Sequence, residues 1–202
     1  MKVALIGATG RVGSRLTTEL VSRGHVVTGI VMHPPVNAPD TITIVQANAA
    51  DANALAPLLV GHDAVISAAR FVTSDADALI AAVTMAQVKR LLVVGGAGSL
   101  EVAPGTALLD SDGFPEAFRT EAQAGARFLQ RLRSERDVDW TFLSPSAEFA
   151  SGARTGHFRL GRNDLLIDAN GKSHISMEDF AIAMVDELEK PSHSRQRFTV
   201  GY

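Results

Sequence analysis

Cysteine is absent from all 202 residues. That removes disulfide frameworks, thiolate metal sites and thiol nucleophiles together, and it suits a reducing compartment. Tyrosine and tryptophan occur once each, as Tyr202 and Trp140, so any catalytic tyrosine would have to be Tyr202. An excess of positive charge is also missing. The net charge is -3, whereas a nucleic-acid binder needs a basic footprint, so no such partner is expected. No apolar stretch reaches the length of a membrane span without a charge or a helix breaker. The apolar run Val3 to Ile6 is too short for the core of a signal peptide. A cytoplasmic protein without membrane partners is expected. The histidines (His25, His33, His62, His157, His174 and His193) show no ligand spacing such as H-x-x-x-H, and no metal is expected.

What is present reads as one globular domain over residues 1–202: 46% of residues are hydrophobic and 20% charged, and the chain is long enough to bury a core unaided. "KVALIG" (2–7) is a near-continuous apolar run, the pattern of a strand covered on both faces. Val12, Leu16 and Leu20 then recur every four residues, and Gly24 offers a helix stop. Further strands are expected over 25–32, 42–47, 63–69, 90–96, 139–145, 164–169 and at the closing "RFTVGY". Between them, Asp51 reads as the cap of a helix through Leu59, and a helix is expected over about 75–87. A long helix through Arg136 follows, with Phe118, Ala122, Gly125, Leu129 and Leu132 on one face. "SMED" (176–179) starts a helix through Lys190 with Phe180, Met184 and Leu188 inward. Trp140 reads as core, and "RLRSERD" (131–137) as a solvated helix end. This alternation specifies an α/β fold, a single doubly wound parallel sheet, with strand ends collected on one ligand rim.

The first turn on that rim is "GATGRVG". Gly7 permits the tight exit from the strand, Gly10 lets a phosphate approach the backbone, and Gly13 lets the helix pack on the sheet. Thr9, Arg11 and Val12 complete a helix start that offers N–H groups and a partial positive charge to a pyrophosphate. The other strand ends supply further cofactor-binding candidates: Met32 and His33, Asn48, Ser67, Ala68 and Ala69, Gly95 and Gly96, and Pro145 and Ser146. NAD recognition calls for an acid at the end of strand two to hold the ribose hydroxyls. Here residues 30–36 contain none, while Arg11 can form a fork on a 2′-phosphate with help from His33. NADP(H) is therefore favoured over NAD(H).

The glycine motif resembles that of the atypical short-chain dehydrogenase/reductase superfamily, in particular its small NmrA-like members. "VVGGAGSL", "DWTFLSP", "TGHFRLG" and "ISMEDFAIAMVDELEKP" are similar to the group of NAD(P)H-flavin reductases related to biliverdin-IXβ reductase. The resemblance spans almost the whole chain. It implies a Rossmann-type NAD(P)-binding fold and, in some members, reduction of flavins or related acceptors with NADPH. Standard members of the superfamily use a Tyr-x-x-x-Lys pair and a serine. On the helix where the pair belongs stand Phe118 and Ala122, and the serine position falls near Ala97, with Ser99 two residues on as a substitute.

A carbonyl-to-alcohol reduction needs a proton donor for the developing alkoxide, so an ordinary alcohol dehydrogenase or sugar epimerase is disfavoured. Two readings stay open. One is a reductase of a flavin, quinone or similar conjugated acceptor, with flavin as substrate and Ser99 as the one catalytic candidate; the reduced acceptor then takes its proton from solvent. The other is a non-catalytic NADP-binding sensor of the NmrA type. Acceptor-site loops are expected mainly from 98–115 and 145–175. Asp110 to Phe114 would form a lid, with Glu148 and Phe149 in the acceptor pocket. The oligomeric state is not legible.

Overall fold

Because both faces of a central strand are covered, its sequence must be apolar on both, and the runs identified above become strands for that reason. The computed structural model describes residues 1–36 and 40–202. In chain order the elements are β1 (Lys2–Ile6), α1 (Arg11–Ser22), β2 (Val26–Val31), β3 (Thr43–Gln46), α2 (Ala52–Leu59) and β4 (Ala64–Ser67). A short 3-10 turn (Phe71–Thr73) leads into α3 (Ala76–Met85), β5 (Arg90–Val94), β6 (Glu101–Ala103) and β7 (Thr106–Ala107). Then come α4 (Glu116–Ser134), β8 (Asp139–Ser144), β9 (Glu148–Ala150), β10 (Arg159–Gly161), β11 (His174–Ser176), α5 (Met177–Glu189) and β12 (Gln196–Gly201).

The main sheet has eight strands in the order β10-β12-β8-β5-β4-β1-β2-β3. All of its pairings are parallel except that of β10 with β12, which adds one antiparallel strand at the edge. From β1 the chain order runs outward in both directions, so the crevice beside β1 is the switch point where α/β sheets hold ligands. The register aligns the rim: Ile6 pairs with Ile30 and Ser67, Ser67 with Val93, and Val94 with Leu143.

Leu16 and Leu20 of α1 and Phe180, Met184 and Leu188 of α5 cover one face of the sheet. Leu55, Leu59, Ile80, Val83, Phe128, Leu129 and Leu132 from α2, α3 and α4 cover the other, where Trp140 is buried. Asp51, Asp75 and Ser176 cap α2, α3 and α5 through side-chain oxygens, as their residue types dictate.

Two expectations are corrected. Residues 164–169 do not form a strand; only Asp164 makes an isolated bridge, to Glu101. Leu166 instead lies over Gly161 of β10 and Gly201 of β12, whose missing side chains leave room for it, so the segment packs on those strands rather than adding one. The edge strand is β10, slightly earlier in the chain. Phe118 is 63% exposed and belongs to no core. The buried stripe of α4 runs through Gly125, Phe128, Leu129 and Leu132, whereas its first turns overhang the strand ends.

Candidate cofactor and acceptor site

The glycine turn divides its labour unequally. Gly7 has φ +79°, and a Cβ there would come within 2.9 Å of the Ala68 carbonyl oxygen. A Cβ on Gly13 would sit 1.9 Å from the Gly7 carbonyl oxygen. Those two glycines are demanded by the fold itself. Gly10 is different. Its φ is −69°, open to any residue, and a Cβ would meet only the Gly7 oxygen at 3.2 Å. Beyond that oxygen, no described residue fills the space over Gly10, so its lack of a side chain leaves room for a group outside the chain. Here α1 begins with no side-chain cap and no acid in its first turn, leaving first-turn N–H groups and the positive end of the helix for an anion. A pyrophosphate fits those donors.

Gly7 N–H donates to the Ile30 carbonyl at 2.8 Å and Ala68 N–H to the Ile6 carbonyl at 2.8 Å, which ties the turn to β2 and β4. Thr9 and Arg11 are exposed, and Val12 is half-buried. Among the described residues the Arg11 guanidinium has no partner; only its carbonyl is engaged, by the Ser14 hydroxyl and Arg15. His33 is exposed beside the half-exposed Met32 at the end of β2, and Gln46 fixes the Met32 carbonyl at 2.9 Å. Asn48 accepts from the Ala50 N–H at 3.0 Å. Ser67 is buried, with Ala68 and Ala69 half-buried above it.

A cleft of about 460 Å³ opens at the end of β5. Gly95, Gly96, Ala97, Gly98 and Ser99 line one side, and Phe71, Phe118, Ala122 and Gly125 another. Small residues bring these walls together. A Cβ on Gly98 would lie 2.7 Å from that of Ala122, one on Gly125 would lie 2.9 Å from the Phe71 ring, and one on Gly95 would strike Phe142. The Phe71 ring stacks on Phe142 at 5.9 Å between centroids. Glu121 clamps this arrangement by accepting from the N–H groups of Phe71 at 2.6 Å and Val72 at 3.3 Å. Residues 111–115 form the outer wall, with Phe114 beside the Arg119 guanidinium at 5.5 Å.

Ser99 lines the cleft, and its carbonyl and hydroxyl oxygens accept from Arg197 at 3.3 and 3.4 Å. Burial pushes the Arg197 guanidinium down to about 10. Phe118 and Ala122, where a Tyr-x-x-x-Lys pair would stand, both face the cleft. The single Tyr202 lies elsewhere: its hydroxyl donates to Asp179 at 2.7 Å. Burial alone would raise the Asp179 carboxyl, but hydrogen bonds from Thr155, Gly156 and Tyr202 outweigh it and hold the group below the usual range.

Ser146 is buried with its hydroxyl donating to the Val200 carbonyl at 3.0 Å, and Pro145 is buried next to it. The cleft wall there is Ala147. Phe149 is not in the cleft; its ring packs on Phe180 at 4.8 Å because β9 pairs with β11 and turns it inward, leaving Glu148 exposed. Sequence reasoning missed Phe71 and Glu121, whereas Phe114 falls in the segment expected as a lid and stands in the outer wall. Glu121 could have been found, since it falls three residues after Phe118 on the helix face that also carries Ala122 and Gly125. Among the described residues no group of three or more metal-ligating side chains comes together, and no helix is long and apolar enough to cross a membrane.

The chain matches a family described as NAD(P)H-binding over residues 7–191. It is 37% identical to the uncharacterized protein YwnB of Bacillus subtilis, with 99% of this chain and 98% of that protein covered. A Bacteroides thetaiotaomicron crystal structure, provisionally described as an epimerase, superposes with a TM-score of 0.93 at 41% identity, covering 100% of this chain and 96% of that one. A Streptococcus pneumoniae structure, provisionally described as an NADH-flavin reductase, gives 0.84 at 36% identity, covering 100% and 99%.

Proposed function

Because the chain belongs to the NAD(P)H-binding family, we propose that it is an NADPH-dependent reductase of the atypical short-chain type, acting on a flavin, quinone or similar conjugated acceptor. The observation that carries this reading is the acceptor cleft. Phenylalanine and alanine occupy the positions of the hydroxyl–lysine pair, beside an intact phosphate cradle. The descriptions given to the similar structures diverge, one an epimerase and one a flavin reductase. A cleft without a hydroxyl–lysine proton donor fits the second chemistry better.

Bound nicotinamide would supply the hydride. The chain's own residues provide binding and orientation. The uncapped start of α1 and the open face of Gly10 receive the pyrophosphate. Arg11 and His33 receive the 2′-phosphate, in the absence of an acid on β2 that would favour NADH. Phe71, Phe114 and Phe118 hold the acceptor as a flat apolar body, and the small residues at 95–98 let it lie close to the strand ends. No general acid is required, because a reduced flavin or quinone takes its proton from water.

The test is absorbance-monitored NADPH oxidation with flavins, quinones, and simple ketones and aldehydes. Slow turnover with the first two classes and little with the carbonyls is expected, and Ser99→Ala should have a small effect. A fall of about a hundredfold or more, the scale of losing a general acid, would make Ser99 a proton donor and revive carbonyl reduction. Tight NADPH binding with no turnover of any acceptor would favour the sensor, which equally lacks a proton donor.

A further inference from the structure

The acceptor cleft has a sign. Its ionisable lining residues are Asp112 and Glu121, and no lysine or arginine lines it. Glu121 is turned towards Phe71 and faces Arg70 at 3.7 Å. Asp112 is exposed and, among the described residues, has neither a hydrogen bond nor an ion pair. Arg70 offsets Glu121 and leaves Asp112 as the uncompensated charge of the lining, while the other nearby cations are committed elsewhere. Arg119 pairs with Glu116 at 2.7 Å and donates to the Leu109 carbonyl at 2.9 Å. Arg197 is buried behind Ser99, where it also donates to Asn163 at 3.0 Å. The start of α4 opens on the same rim, yet Pro115 has no N–H to give and Glu116 already occupies the positive end of the helix. The rings of Phe71, Phe114 and Phe118 supply apolar contact without any partner for an anion.

Resting on the reductase reading above, we propose that this cleft selects an uncharged planar acceptor, a quinone or a flavin without its phosphate, over a phosphorylated flavin, with Asp112 as the selecting charge. An aromatic body is taken up by the rings. A phosphate on its tail, carrying nearly two negative charges, meets the Asp112 carboxylate at the mouth and no lysine or arginine in the lining. The effect is electrostatic at an exposed site, so salt should weaken it.

The experiment compares riboflavin, FMN and 1,4-naphthoquinone as acceptors for NADPH oxidation at low and high ionic strength, and measures riboflavin and FMN binding by flavin fluorescence. At low salt kcat/KM for riboflavin should exceed that for FMN by about fivefold, carried in KM, and high salt should close most of the gap, as expected for exposed charges. Asp112→Asn should narrow the gap at low salt and Asp112→Lys should invert it. FMN equal to or better than riboflavin at low salt would overturn the selection, as would a preference indifferent to both salt and Asp112. Turnover of naphthoquinone with no flavin preference leaves the reductase reading standing and removes this one. If nothing is turned over, the reductase reading fails, and the fluorescence binding order with its salt response still decides the selection.

Discussion

Gly10 and Gly13 belong to one motif and answer to different demands. A methyl on Gly13 would collide with a backbone oxygen at 1.9 Å, and a collision with backbone cannot be relieved by a rotamer. Gly13→Ala should therefore lower stability by about 3 kcal/mol, at the upper end for overpacked sites, as read from urea unfolding. Gly10→Val should cost only about 1 kcal/mol, the scale of a poorer helix cap, yet abolish NADPH binding by calorimetry. Unchanged binding in a folded Gly10→Val protein would show that no phosphate rests on this turn. Arg11 tests the cofactor instead of the fold. If its free guanidinium pairs with the 2′-phosphate, Arg11→Ala should weaken NADPH binding by roughly 1.5–3 kcal/mol, as for a hydrogen bond to a charged group, and leave NADH binding nearly unchanged. Equal losses would assign Arg11 to the pyrophosphate or to folding.

At the scale of elements, the segment 153–157 is strapped to α5 by Asp179. That carboxylate is fully buried and accepts from Thr155, Gly156 and Tyr202 while Ser176 holds the Ala153 carbonyl. The only tyrosine is thereby explained as a structural donor, and burial holds its phenol above the usual value. The sign of the pH effect follows from the depressed Asp179 carboxyl. Its contribution is present above the ordinary aspartate range, about 4, and is lost as pH falls through the lower folded value. Unfolding free energies measured between pH 7 and pH 3 should decline on that limb. Asp179→Asn should flatten the decline and lower stability at pH 7, and Tyr202→Phe should cost about 1.5–3 kcal/mol at pH 7. An unaltered acid limb in Asp179→Asn would place the titrating group elsewhere. This strap was not legible beforehand, because residues 153–157 carry no periodicity and meet Asp179 only through the return of the chain after β10.

For the whole molecule, the two-sided apolar runs and the helical stripes determined the strand–helix alternation, hence the doubly wound sheet and its ligand rim. Local steric and electrostatic rules also sufficed for the glycine turn, the caps at Asp51 and Ser176, and the lack of a proton-donating tyrosine on α4. Where two distant segments compete for the same surface, local rules are silent. Residues 164–169 have a strand's composition, yet Leu166 covers Gly161 and Gly201 because those glycines leave a hollow there. Phe118 has a core residue's composition and stands exposed, because α4 runs past the sheet where only the loops at 95–99 and 111–115 meet it. Phe149 turns onto Phe180 because β9 finds β11. Sequence alone thus determined the fold class and the glycine turn, which rest on interactions within a few residues and on patterning. The cleft at the end of β5, its ring walls and the carboxylates in its lining were decided by tertiary structure, since each wall comes from a different crossover and acquires its meaning only when packing brings the others to it.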